Sequence, residues 1–262
     1  MPAASSRPIP VVFLHGMGGA ARSWTPQLAS FAAAGYAPVA LDLPGYGARP
    51  AVRSMDFECL AGDVENQIAG RGLQHPVLIG HSLGGMVVQT MLRRRPAAYA
   101  AAVLSGTSPA FGNPSGEFQK KFVADRLAPL DAGKTMAELA PGTIDALMGP
   151  NPEPAGRELA IEDMAATSAE TFRAALHCLV GFDERANLAH IRIPVLCLAG
   201  ERDPNAPPAM MERTAGRIPG ARYVCLSGVG HFANLEAPAR FDQAVIGFLD
   251  SVLAANVSAD QT

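Results

Sequence analysis

The stretch Val77-Leu78-Ile79-Gly80-His81-Ser82-Leu83-Gly84-Gly85-Met86-Val87-Val88 decides how the chain is read. It opens with a short β-branched, apolar run of the kind that forms a parallel strand buried on both faces. It continues into an amphipathic segment, Met86 to Arg95, that reads as a helix stopped before Pro96. Between them lies Gly80-x-Ser82-x-Gly84, the G-x-S-x-G pattern of a sharp strand-to-helix turn. Such a turn forces the serine backbone into a strained conformation and leaves its flanks no room for side chains; Gly80 and Gly84 supply that room. The hydroxyl is then held open at the carboxyl end of a sheet, over a helix N-terminus that favours developing negative charge. Alone, the pattern also fits an ordinary turn with Ser82 as helix N-cap, so the rest of the chain decides.

Upstream, Val11-Val12-Phe13-Leu14 reads as a strand running into His15-Gly16-Met17-Gly18-Gly19 and a helix from about Ser23 to Ala34. This glycine-rich loop lacks both the Lys-Ser/Thr of a phosphate-binding loop and G-x-G-x-x-G spacing. It fits an oxyanion loop better, with one N–H from Met17 and a second from Leu83, the residue after the serine. Ala37 to Leu41 is the next strand, and Asp42 at its end reads as a loop brace.

Downstream, Ala101 to Ser105 is a strand, and no carboxylate follows it closely. Strand Pro194 to Gly200 ends in Glu201-Arg202-Asp203, and strand Ala221 to Leu226 leads to Gly228-Val229-Gly230-His231. Ser82, Asp203 and His231 thus each fall just past the carboxyl end of an expected parallel strand, where open α/β sheets place ligands. Their order, Ser then Asp then His, is the one the turn motif carries. His231 would take the Ser82 proton, and Asp203 would fix its tautomer. Each residue alone has a plain reading as cap, turn-former or surface residue. Glu201 leaves its strand earlier and should point away.

From about 109 to 186 the strand–helix alternation breaks into short amphipathic helices: Glu117–Leu127, Met136–Met148, Arg157–Ala166 and Ala169–Val180. This is too long for a loop in a compact domain. We read residues 1–108 and 187–262 as an α/β core and 109–186 as an inserted helical cap that excludes water and selects substrate. Expected pocket residues are His15, Gly16, Trp24, Phe111, Phe182 and Phe232. For Trp24, packing of the helix against the core is the favoured reading. A carboxylate-bearing substrate would need a cation, for which Arg173 and Arg185 are candidates and Arg49 a third.

With 262 residues, 48% of them hydrophobic, the chain can bury a large core. Its net charge of −3 gives no sign of a nucleic-acid or anionic-membrane partner. No stretch reaches transmembrane length and no export signal is visible. Cys59, Cys178, Cys197 and Cys225 show no metal or redox spacing, and Cys197 and Cys225 are expected in buried strands. Reduced thiols favour the cytoplasm. The expected partner is a small-molecule substrate, with no cofactor and no metal; oligomeric state is left open.

The blocks Phe13-Leu14-His15-Gly16, Leu41-Asp42-Leu43-Pro44-Gly45-Tyr46-Gly47, Gly80-His81-Ser82-Leu83-Gly84-Gly85, Gly200-Glu201-Arg202-Asp203 and Gly230-His231-Phe232-Ala233-Asn234-Leu235-Glu236-Ala237-Pro238 resemble the α/β-hydrolase superfamily over essentially the whole chain. Leu179 to Leu188 and Asn234-Leu235-Glu236 are similar to its enol-lactonase and carbon–carbon hydrolase branch. The resemblance implies a serine hydrolase of an ester or (enol-)lactone of a small, partly apolar molecule, with aromatic-compound catabolism as its setting. The alternatives are a carbon–carbon hydrolase, a perhydrolase or thioesterase, or a non-catalytic receptor on the same fold. Dehalogenases and epoxide hydrolases of the superfamily carry an aspartate at the nucleophile position, and Ser82 argues against both. Only ten residues precede Val11, too few for the superfamily's two extra first strands. The expected sheet is therefore open and mostly parallel, with about six strands and Ala37–Leu41 at an edge.

Overall fold

In a computed structural model that describes residues 8–111 and 116–259, six strands form one parallel sheet. They are β1 (Pro10–Leu14), β2 (Ala37–Leu41), β3 (Val77–His81), β4 (Ala101–Ser105), β5 (Val195–Gly200) and β6 (Arg222–Leu226). Their spatial order is β2-β1-β3-β4-β5-β6 and every pairing is parallel, as expected. The order reverses between β1 and β3, so the loops after these two strands leave a crevice at the carboxyl edge.

Strand periodicity of two divides the core into two layers. Val11, Phe13, Val77, Ile79, Val103, Leu196 and Leu198 face α1 (Thr25–Ala33) and α10 (Pro238–Ala259), packing with Trp24, Phe31 and Phe241. Val12, Leu14, Leu78, Leu104, Cys197 and Ala199 face the opposite layer. That layer consists of α2 (Phe57–Gly70), α3 (Leu83–Arg94) and α8 (Pro208–Ala215), which contribute Leu60, Val64, Val87, Met91 and Met211. Central strands β3, β4 and β5 are buried throughout, which is why they read as continuous apolar runs. The edges differ. β2 is only half-buried and carries Pro38, tolerated where a ladder N–H is not needed. β6 is covered incompletely, so Cys225 is exposed, contrary to the buried position expected for it; Cys197, one strand inward, is buried.

Between β4 and β5 lie α4 (Glu117–Asp131), α5 (Met136–Asp145), α6 (Pro154–Ala166) and α7 (Ala169–Leu179). Helix α5 begins with a reciprocal Thr135–Glu138 cap. Helix α4 runs through Pro129 rather than stopping at Leu127. The chains that enter and leave this segment pair with each other. Phe111 N–H donates to Phe182 O at 3.0 Å, and Glu184 N–H donates to Pro109 O at 2.8 Å. A short α9 (Ala233–Glu236) follows the loop after β6. No helix among the described residues is long and apolar enough to cross a membrane.

Candidate active site

Ser82 sits at φ 51°, ψ −115° between β3 and α3. This sterically costly conformation, worth about 1–3 kcal/mol, persists only where the surroundings over-determine it. Three hydrogen bonds do so. Ser82 N–H donates to Ser105 O at 3.0 Å, while Ser82 O accepts from Met86 N–H at 3.1 Å and from the Thr107 hydroxyl at 2.8 Å. The flanks are closed: a Cβ at Gly80 would lie 2.4 Å from Gly84 O, and one at Gly84 would lie 2.3 Å from Leu14 O.

Across the crevice, His231 Nδ1 donates to Asp203 Oδ2 at 2.8 Å. The other carboxylate oxygen accepts from the N–H groups of Asn205 (2.8 Å) and Ala206 (2.9 Å). Burial pushes the Asp203 carboxyl up, but the His231 ring and these two N–H groups more than offset it. The carboxyl therefore titrates below its ordinary value and stays ionised. With Nδ1–H committed to Asp203, Nε2 is the ring nitrogen left without a protein partner among the described residues. The hydrogen bonds of the described residues include none from the Ser82 hydroxyl to that ring.

His81, beside the serine, links the two sides. Its Nε2–H donates to His231 O at 2.9 Å, and the two rings lie 4.8 Å apart. Burial, reinforced by His231, pushes His81 down to about 3, so it is a neutral strut that does not compete for the proton. On the β1 side, Gly16 passes close enough that a Cβ there would meet Ser82 Cβ at 3.0 Å. Among the described residues, neither the Met17 nor the Leu83 backbone N–H has a protein acceptor. Leu83 opens α3, where the first N–H groups are free by construction.

The model of the alpha/beta hydrolase family matches residues 11–244, from the first strand into the last helix. The chain belongs to that family. Epoxide hydrolase A of Mycobacterium tuberculosis is 30% identical, covering 92% of this chain and 90% of its own length. Among solved structures, the enol-lactonase of Burkholderia xenovorans LB400 superposes with a TM-score of 0.84 at 23% identity, covering 93% of this chain and 92% of that one. A thermophilic esterase of Thermogutta terrifontis gives 0.83 at 24%, covering 93% and 90%. At these identities the two structures speak for the fold alone.

Within this α/β-hydrolase, several expected pocket residues have other duties. His15 is fully engaged: Nδ1–H donates to Gly16 O at 2.8 Å, Nε2 accepts from Leu43 N–H at 3.1 Å, and the ring sits edge-on to Tyr46. It ties the loop after β1 to the loop after β2. Trp24 is buried against Phe13 and Phe241 and acts as core. Both reach a cavity of only about 10 Å³, room for one water at most. Phe182 is buried against Phe57, 4.5 Å between rings. Arg173 pairs with Asp131 and Arg185 with Asp183, both part-exposed ion pairs. Arg49 grips Asp63 and Asp42 O. Phe111 packs on Phe122 at the neck of the helical segment. Phe232 remains at the site, 5.3 Å from both the His81 and His231 rings. Glu201 points away as expected, onto Gly228 N–H and Ser227.

One residue escaped the sequence reading. Glu236 is buried and accepts three backbone N–H groups: Gly149 (2.7 Å) and Gly230 (2.8 Å) on Oε2, and Phe232 (2.9 Å) on Oε1. His231 N–H donates to Leu147 O at 2.8 Å, and Glu153 N–H to Glu236 O at 3.0 Å. The α5–α6 connection and the histidine loop are thus fastened together. The available signal was a glutamate five residues after His231, in a block quoted only for its resemblance.

Proposed function

We propose that this α/β-hydrolase is a serine hydrolase that cleaves an ester or enol-lactone of a small, partly apolar molecule. The observation that carries the reading is the buried Asp203–His231 pair, with Nε2 left free across from a serine held in a strained turn. Ser82 Oγ attacks the substrate carbonyl carbon as its proton passes to His231 Nε2. The carbonyl oxygen, now anionic, is held by the Met17 and Leu83 N–H groups, each worth about 2.7–4 kcal/mol to the transition state. His231 then gives the proton to the departing oxygen; water, losing a proton to the same ring, attacks the acyl carbon, and the ring returns that proton to Ser82 Oγ as the acid leaves.

The 30% identity to an epoxide hydrolase does not carry that activity here, because Ser82 stands where the superfamily's epoxide hydrolases have an aspartate. Likeness to an enol-lactonase and an esterase supports acyl chemistry at the level of fold. Phe232 beside the two histidines gives the site an apolar wall and favours a substrate with apolar surface.

The test is kcat/KM for two size-matched substrates, a carboxylate-bearing enol-lactone and a neutral short-chain p-nitrophenyl ester. With Arg173 and Arg185 committed to surface ion pairs, the neutral ester is expected to be the better substrate. Failure of the folded protein to turn over either would overturn the reading.

A further inference from the structure

We propose a second binding site, for a small organic anion, in a cavity of about 350 Å³ between the neck of the helical segment and α8. The cavity shares no lining residue with the Ser82 site. Three arginines line it, Arg185 from the chain leaving the helical segment and Arg213 and Arg217 from α8 and its end, and no aspartate or glutamate does. The whole chain has more acidic than basic residues, 24 against 21, so an all-cationic lining departs from its composition. Arg185 is held by Asp183 through two contacts, 2.9 and 2.6 Å. Arg213 and Arg217 have no carboxylate partner among the described residues. They stand four residues apart, where like charges on neighbouring turns repel. A helix C-terminus accounts for a cation at either position. It does not account for a third guanidinium brought from another element, nor for the apolar wall of Pro109, Phe111 and Met210 that completes the cavity.

Those features define the ligand's chemistry. Two uncommitted guanidiniums fit planar oxyanion groups, carboxylate or phosphate. The apolar wall fits a hydrocarbon body, and the volume lies in the range of small-molecule sites. The place gives the site a consequence. Pro109 to Phe111 pairs with Phe182 to Glu184 at this point, so the cavity wall is the neck of the helical segment. A ligand that also grips α8 ties that neck to the sheet layer, and binding should slow hydrogen exchange at the Phe111 and Glu184 amides.

The test is titration calorimetry at low salt on the full chain. Phthalate and phenyl phosphate are the probes, with neutral dimethyl phthalate and inorganic phosphate as controls. Both organic anions, or one of them, should bind, and the tighter of the two assigns carboxylate or phosphate as the preferred group. Dimethyl phthalate should not bind, and inorganic phosphate should bind at least tenfold more weakly. Arg213→Ala/Arg217→Ala changes two exposed side chains and should weaken the organic anions at least tenfold with the melting temperature unaltered. Equal binding by that variant, equal binding of inorganic phosphate, or no binding of either organic anion would overturn the proposal.

Discussion

The sheet and the helical segment between β4 and β5 hold together by different means. The sheet is fixed by local pattern: β3, β4 and β5 are buried throughout, and alternate side chains supply two apolar layers. The helical segment shares the second of those layers through residues such as Ala140, Met164, Phe172 and Leu176, and is fixed in addition by distant polar partners. Glu236 clasps Gly149, Arg22 and Ser23 hold the buried Asp163 of α6, and Thr171 of α7 donates to Gly45 O. The lesson is that the residues expected to react come from the first region, while one wall of the His231 loop comes from the second. Damage to the first should abolish the reaction or the fold; damage to the second should shift geometry by degrees.

The largest effect should come from Ser82→Ala, which removes the proposed nucleophile from an otherwise intact elbow. Turnover should fall by roughly 10⁶-fold if serine, histidine and aspartate act as a unit. Circular dichroism should be unchanged, and near-native turnover would break the assignment. Glu236→Ala comes next, because it leaves three backbone N–H groups without their acceptor, the buried one at Gly230 alone costing about 1–3 kcal/mol. We expect a lower urea midpoint together with a lower kcat, and partial recovery of both in Glu236→Gln, which keeps one acceptor oxygen. A stability loss without any kcat loss would show that the helical segment does not shape the histidine loop.

Gly84→Ala tests the sheet side. Its Cβ would meet Leu14 backbone 2.3 Å away, so a loss of about 1–3 kcal/mol or more is expected by chemical denaturation. A smaller effect belongs to pH. His81 binds its proton only near pH 3 when folded but near 6.5 when unfolded. The unfolded chain therefore carries the extra proton between those values, so the stabilisation is full above about pH 6.5. It is lost as pH falls toward 3, by about 1.4 kcal/mol per pH unit. Burial lowers His15 too, adding to the same slope. Urea unfolding at pH 7 and 5 should show it, and His81→Gln should flatten it by about one proton. The smallest effect is assigned to Arg173→Ala: a surface ion pair, stability within about 0.5 kcal/mol, and kcat/KM for an acidic substrate unaltered.

The elbow was legible because it is local. Gly80, Ser82 and Gly84 report a backbone shape that only that spacing permits, and buried parallel strands announce themselves as apolar runs. The expected residues Asp203 and His231 followed from their places at strand ends, and they meet at 2.8 Å. Duties set by neighbours far away in the chain were not legible. His15 looked like a pocket residue because it precedes the glycines, yet Leu43 and Tyr46 occupy it. Cys225 looked buried because its strand is apolar, yet β6 lies at the edge. Arg173 and Arg185 looked available because sequence does not show Asp131 and Asp183 reaching them.

By itself, then, the sequence determined the parallel α/β sheet, the strained turn at Ser82 and the identity of the residues at the strand ends. Each of these depends on periodicity or on spacing within a few residues. Only the tertiary structure decided which polar groups are already satisfied, that β6 lies at an incompletely covered edge, and that Glu236 joins the helical segment to the His231 loop. Those are properties of contacts between residues distant in the chain, some of them more than two hundred positions apart, such as Gln27 Nε2 on Asn234 O. Burial and hydrogen-bond satisfaction arise only when such segments are brought together.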